Sequence, residues 1–220
     1  MTLETDVRAG QAVYTPASLR LYDHIVHGLS NRWLWRCPTV ELHRLYDRNV
    51  SADHIDIGVG TGLFLDRARW PAADPRITLA DLNPHCLERA AARIARYRPR
   101  QIRVNVLEPL PAATGGPFRS AGLMYLLHCL PGTIRQKAVL FDHLAPHLAT
   151  GARVFGATIV QGDAPRNWGA RRLMAIYNSR GVFSNSGDTE AGLRAELDAR
   201  FAEVDVRRIG CVALFEARSR

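Results

Sequence analysis

The sequence predicts an α/β domain, a parallel β-sheet with helices on both faces. Three observations carry this. Short apolar runs alternate with amphipathic helical stretches from Asp53 to Val160. The run His54-Ile55-Asp56-Ile57 passes through Gly58, Gly60 and Gly62 into a helix-like segment, Leu63 to Trp70. That strand, glycine turn and helix is the setting that gives a glycine motif meaning. A second strand, Ile77 to Asp81, ends on a carboxylate.

Before the first strand, Pro16 to Gly28 has helical spacing, with Leu19, Tyr22 and Ile25/Val26 on one side. Thr39 is placed to cap a further helix, Val40 to Arg48, with Leu42 and Leu45 inward. Residues 1–50 therefore read as a helical N-terminal cover, too small to stand as a separate domain. The first strand is Asp53–Ile57 and the second Arg76–Asp81. Pro84 suits the first turn of the next helix, where a missing N–H costs nothing. The third strand is read at Ile102–Val106 and the fourth at Ala121–Tyr125. A helix follows Pro131-Gly132-Thr133, and Val154–Val160 is the fifth strand. Residues 161–187 interrupt this rhythm and read as an insertion containing a helical run, Arg166 to Asn178. A helix from Thr189 to Phe201 leads to two short β runs, Val204–Arg208 and Cys211–Glu216, joined in hairpin fashion. The 220 residues suffice for one such domain.

Composition narrows the setting. Hydrophobic residues make up 47% of the chain and mean hydropathy is −0.13, ordinary for a soluble globular protein. No stretch is long and apolar enough to span a membrane, and Met1 to Gln11 lacks the basic start and apolar centre of a secretory leader. Cys37, Cys86, Cys129 and Cys211 are scattered without a C-x-x-C pair, so neither a zinc site nor a disulfide framework is indicated. A reduced, cytoplasmic location is expected. The net charge is +8, yet the 29 basic residues are spread along the chain and only Lys137 is a lysine. That favours a solvated basic surface over a nucleic-acid site.

The two strand tips define the ligand. Glycines let a ligand approach the backbone, and amides at the following helix start face it. A carboxylate such as Asp81 at the second tip grips ribose hydroxyls. A dinucleotide site would read G-x-G-x-x-G; here the spacing is G-x-G-x-G with Asp56 just ahead. A carboxylate there repels a pyrophosphate and suits an ammonium group.

At these residues, Asp56-Ile57-Gly58-Val59-Gly60-Thr61-Gly62 and Asp81, the chain resembles the Rossmann-like (class I) S-adenosylmethionine (SAM)-dependent methyltransferase superfamily. The resemblance runs from about Asp53 to the end. It implies a doubly wound seven-stranded sheet of order 3-2-1-4-5-7-6 with the last strand antiparallel. It also implies SAM as cofactor and S-adenosylhomocysteine as product; with no clustered carboxylates in the sequence, no metal is expected. The N-terminal segment and the 161–187 insertion are then expected on the substrate side of a single domain spanning residues 1–220.

The resemblance assigns residues one by one. Asp56, Gly58, Gly60 and Gly62 would meet the methionine part of the cofactor, Asp81 the ribose and Leu82 the adenine face. Asn105 stands where the superfamily usually has an acidic residue near the adenine amino group, with Val106 beside it. His128 occupies the first position of an L-H-H stretch, with Cys129 in place of the second His, and is the candidate proton acceptor. Tyr22 is a further candidate for the cofactor. Tyr14, Trp33, Tyr125, Trp168, Arg171 and Tyr177 are candidates for the substrate. Of Trp33 and Trp35, one is expected in the core. No N/D-P-P-Y/F follows the fourth strand and no P-C motif occurs. A small-molecule acceptor in specialised metabolism, methylated on O, N or S, is therefore the expectation. Methylation of RNA or protein, or SAM binding without catalysis, are the alternatives.

Overall fold

The computed structural model describes residues 31, 33–162 and 164–220. The candidates Tyr14 and Tyr22 lie outside the described residues. One seven-stranded sheet runs in the order β3-β2-β1-β4-β5-β7-β6. Its strands are β1 (Asp53–Ile57), β2 (Arg76–Asp81), β3 (Arg100–Arg103), β4 (Phe118–Met124), β5 (Leu148–Ile159), β6 (Ala202–Ile209) and β7 (Val212–Arg218). Neighbours among β1 to β5 pair in parallel, while β7 is antiparallel to both β5 and β6. This is the predicted order and the predicted antiparallel last strand.

Both faces of the sheet are covered, which is why its central strands are apolar almost throughout. Alternation along each strand divides the core in two. One face holds Leu79 and Phe155 against Leu42, Leu45 and Tyr46 of helix α1 (Thr39–Asn49), together with Leu87 and Ala90 of α3 (Pro84–Arg93). The other holds Ile55, Ile57 and Leu123 against Leu140, Phe141 and Leu144 of α5 (Val139–Leu144) and Leu193 and Leu197 of α7 (Glu190–Asp198). The short helices α2 (Leu63–Arg67) and α4 (Ile134–Lys137) and the longer α6 (Trp168–Ser179) complete the layers. Phe155 is fully buried, and truncating such a ring to alanine costs about 3–5 kcal/mol.

Local signals set the helix starts. The Asn83 side chain accepts the His85 amide at the head of α3, where Pro84 takes the first turn. Thr133 and Gln136 form a capping box on α4. Thr39 does not cap α1: it is the first helical residue, Pro38 precedes it, and its hydroxyl accepts from Asn31 Nδ2 at 3.0 Å.

Several boundaries shift for a tertiary reason. β3 stops at Arg103 rather than Val106, because its only neighbour among the described residues, β2, ends at Asp81, the partner of Arg103. The helix after the glycines ends at Arg67, short of Trp70, whose indole N–H donates to Leu65 O at 3.1 Å. β5 starts six residues earlier than read, at Leu148, because Phe118 of β4 pairs with it there.

Candidate functional site

The tips of β1, β2 and β4 surround a cleft at the carboxyl edge of the sheet. It encloses about 730 Å³ including its open mouth, and is lined by Gly58, Gly60, Asp81, Leu82, Asn105 and Val106, among others. On the far side stand Tyr125, Leu126, Cys129 and Leu130. A second hollow of about 470 Å³ continues from it past Asp56, Gly60 and Gly62 to Met124 and Tyr125. Ligand clefts in proteins commonly fall in this size range, and the place is where open α/β sheets bind ligands.

The glycines serve three different ends. Gly58, Gly60 and Gly62 all have positive φ, of 73°, 52° and 72°. A Cβ on Gly58 would lie 2.8 Å from Leu126 Cδ1, and one on Gly62 would lie 3.0 Å from Ala90 Cα. These two keep the far wall and helix α3 close. A Cβ on Gly60 would meet nothing within 4 Å. It would project into space open to a ligand.

Asp81 ties the motifs together. Its carboxylate accepts the Asn83 amide at 2.8 Å, with the amides of Gly60, Val59 and Leu82 standing around it. The side chain is half-buried, and removal from water pushes its pKa up to about 6 against the pull of these nearby amides. It thus presents a strong acceptor to the cleft. Leu82 is half-buried and Val106 buried, both facing the same cleft as Asp81. Asn105 lies just past the end of β3, where its side-chain Oδ1 accepts the Leu107 amide at 3.2 Å and its Nδ2 donates to Glu108 at 2.8 Å. It therefore turns the chain and lines the cleft at once.

Asp56 sits on the α1 side of β1, 4% exposed. Tyr46 of α1 donates its hydroxyl to Asp56 Oδ2 at 2.7 Å, and His54 Nε2 stands 3.5 Å from the same oxygen. Burial and the Asp56 charge push the Tyr46 phenol well above its ordinary pKa, so it remains a donor. Neither Tyr46 nor His54 was singled out from the sequence. The signal was available. Two polar residues two apart on a buried strand share a face, and that face must supply partners.

Tyr125 adopts a left-handed backbone, φ 59°, a conformation that costs a non-glycine residue about 1–3 kcal/mol and tends to cluster at functional sites. Its amide donates to Ala157 O at 2.7 Å and its hydroxyl to Asn31 Oδ1 at 2.8 Å. The ring is thereby fixed at the junction of the two hollows.

His128, expected as a proton acceptor, occupies a different position. Leu126, Cys129 and Leu130 line the cleft, whereas His128 does not. Its ring is 3% exposed, 4.6 Å from the Phe183 ring, and Nδ1 accepts the Ile159 amide at 3.3 Å. Burial, assisted by the nearby Lys137 charge, lowers its pKa to about 3. A base must face the proton it takes and must bind it near working pH. The surroundings of His128 suit a neutral ring that holds β5 to the loop after β4. Lys137 forms a buried ion pair with Asp188 at 2.6 Å and also donates to Ser184 O. Ser184 in turn donates its amide to His128 O at 2.8 Å.

The remaining candidates lie outside the two hollows. Trp33 is 65% exposed and Trp168 70%, whereas Trp35 is in the core. Asn167 caps α6 and donates to Trp33 O at 2.8 Å, so the two exposed indoles belong to adjoining segments. Arg172 lies over the Trp168 ring at 5.9 Å, and the Arg171 side chain donates back to Arg166 O. Tyr177 is half-buried against Phe183, ring centroids 4.9 Å apart. Among the described residues no group of three or more His, Cys, Asp or Glu side chains is placed to hold a metal ion.

The residues fit an adenosine with a cationic tail. There is an acceptor carboxylate at one tip, an open glycine beside it and apolar walls, with a second carboxylate in the adjoining hollow. Comparisons agree. The chain is 40% identical over 215 residues to demethylluteothin O-methyltransferase of Streptomyces thioluteus, covering 98% of this chain and 93% of that one. It is 38% identical over 216 residues to the physcion biosynthesis cluster O-methyltransferase of Aspergillus chevalieri, covering 97% and 96%. The fold matches the N-methyltransferase NodS from Bradyrhizobium japonicum WM9 in complex with S-adenosylhomocysteine, with TM-score 0.61, 17% identity and coverage of 100% and 99%. It also matches an O-methyltransferase family protein from Burkholderia thailandensis, with TM-score 0.64, 20% identity and coverage of 99% and 67%. No protein-family model matches the chain. Relatives of this similarity over nearly their full length, together with the sheet order, show that the chain belongs to the class I, Rossmann-like SAM-dependent methyltransferases.

Proposed function

We propose that this methyltransferase acts on oxygen, alkylating an acidic hydroxyl, phenolic or enolic, of a small molecule of specialised metabolism. The observation that carries this is the character of the cleft's far wall. Among the described residues of this wall, Tyr125, Leu126, Cys129, Leu130 and Pro131 include no histidine, carboxylate or amine, and His128 is turned away and held neutral. Such a site favours an acceptor that ionises by itself. Relatives named as O-methyltransferases support the choice of oxygen.

Bound SAM supplies a methyl group activated by a positively charged sulfur. The chain's own residues bind, orient and exclude water. Asp81 would hold the ribose hydroxyls, and Leu82, Asn105 and Val106 would surround the adenine. Asp56 with the Gly58–Gly62 turn would receive the amino-acid end. Tyr125 and the apolar wall would keep the acceptor dry and aligned, which accounts for most of what methyl transfer requires. His128 positions this wall rather than taking the proton.

In this reading residues 1–220 form one domain, with 1–50 as its cover and 161–187, carrying Trp168, Arg171 and Tyr177, on the acceptor side. A nucleic-acid acceptor is disfavoured because arginines such as Arg76, Arg96 and Arg200 are committed to carboxylates. A cytoplasmic location is supported by four free cysteines. Among the described residues no helix is long and apolar enough to cross a membrane.

The test is turnover with a series of substituted phenols of graded acidity. Rates should rise as the phenol pKa falls towards the assay pH, with S-adenosylhomocysteine and an O-methyl ether as products. Transfer confined to amines or thiols, or equal rates across the series, would reject the reading.

A further inference from the structure

We infer that Tyr46, backed by His54 and Ser120, is a positioning residue that fixes the Asp56 carboxylate toward the amino group of the cofactor. This rests on the reading of Asp56 given above, and adds to it a relay reaching from the back of the sheet.

The relay is continuous. Ser120 Oγ accepts the Ser51 amide at 2.9 Å and lies 2.8 Å from His54 Nδ1. The other ring nitrogen, Nε2, is 3.1 Å from the Tyr46 hydroxyl, which donates to Asp56 Oδ2 at 2.7 Å. With the imidazole proton on Nε2, every hydrogen bond points the same way. Ser120 donates to His54, His54 to Tyr46, and Tyr46 to the carboxylate. Aligned donors polarise one another, so the last bond gains from those behind it.

The relay is also walled in. The Tyr46 ring stacks on Phe64 at 5.9 Å and meets the Phe155 ring edge-on at 5.2 Å. His54 is held between Trp70 at 5.6 Å and Phe155 at 5.9 Å. Neither ring can swing without opening the core. On the neighbouring strand, a Cβ at Gly122 would lie 3.0 Å from Asp56 Oδ2 and 3.2 Å from His54 Cε1. The absence of a side chain there leaves the relay its space. With Oδ2 committed to Tyr46, Oδ1 is the oxygen left to the ligand in the hollow that Asp56 lines.

A merely structural Tyr46 would affect every ligand alike; a positioning Tyr46 discriminates. Two probes separate these, S-adenosylhomocysteine and 5′-methylthioadenosine, which shares its nucleoside and sulfur but lacks the amino-acid end. By calorimetry, Tyr46→Phe should weaken S-adenosylhomocysteine about five- to tenfold and methylthioadenosine less than about twofold. Phenylalanine keeps the ring contacts. Should that variant fail to fold, Ser120→Ala is judged by the same ratio. An unchanged ratio between the two probes overturns the inference. Asp56→Asn is the control. If it shifts the ratio and Tyr46→Phe does not, the relay alone is wrong. If it too leaves the ratio unchanged, the amino-group reading of Asp56 falls and the relay with it.

Discussion

On one wall of the cleft, at the tip of β2, the carboxylate is held by backbone. Asp81 accepts the Asn83 amide, the amides of Leu82 and of the glycine turn stand around it, and Asn83 starts the helix that follows. On the other wall, Tyr125 to Pro131, support comes from far along the chain. Ile159 donates to His128, Ser184 donates to the His128 carbonyl, and Lys137 pairs with Asp188 beneath them. The first wall is backbone geometry with carboxylates added. The second is a set of buried side chains from separate elements. Under the proposed function the difference suits the chemistry: an adenosine recurs from enzyme to enzyme, whereas an acceptor differs, and a wall of side chains can be remodelled without disturbing the glycine turn.

The comparison can be broken most severely at Lys137. Lys137→Met leaves Asp188 buried without its partner, and should cost about 3–5 kcal/mol of stability in urea unfolding. Burial pushes Lys137 down and Asp188 up in pKa, each opposed by the other's charge, so the pair depends on staying together. Replacing both by apolar residues should recover much of the loss. Equal loss in the double variant would mean the pair itself, not the stranded charge, holds the wall.

Next in size is Asp81→Ala, which should weaken SAM binding by about 1–3 kcal/mol in calorimetry, through lost charge-assisted hydrogen bonds. The two walls would cease to differ if this variant unfolded as readily as Lys137→Met.

A smaller, pH-dependent effect follows from the same carboxyl. Its folded pKa, about 6, lies above the ordinary 3.8, so the folded free protein binds the proton more tightly than the unfolded chain. The stability this contributes is present below about pH 4 and is lost as pH rises through about 6. Cofactor affinity should run the opposite way, rising with pH through this window as the carboxylate ionises. Asp81→Asn should flatten both slopes; persistence of either would assign it to another group.

The smallest effect is expected at Trp168, 70% exposed beyond the second wall. Trp168→Ala should change stability by no more than about 0.5 kcal/mol, yet raise KM for the acceptor while leaving KM for SAM unchanged. An unaltered acceptor KM would remove Trp168 from the acceptor side.

Legibility in the sequence follows the same division. Gly58, Gly60, Gly62 and Asp81 announce themselves because positive φ and a strand-tip carboxylate are local requirements, written in consecutive residues. The strand–helix alternation likewise gave β1 and β2 to the residue. His128 read as chemistry because its neighbours in sequence resemble a family motif, yet its orientation depends on Ile159, Phe183 and Lys137, none of them adjacent. Asn105 read as a strand end, and the turn it makes follows from where β2 stops.

The alternation of apolar runs was enough by itself to determine a parallel α/β sheet, and the order of glycines and carboxylates its strand tips, because backbone conformation and strand periodicity act over a few residues; the seven-stranded order came only from the family resemblance those residues carry. Only the tertiary structure decided that His128 is buried and neutral, that Lys137 and Asp188 form a pair, and that Tyr46 and His54 stand behind Asp56. Those outcomes depend on desolvation and on hydrogen bonds between elements remote in sequence, and no local pattern encodes which distant group will arrive.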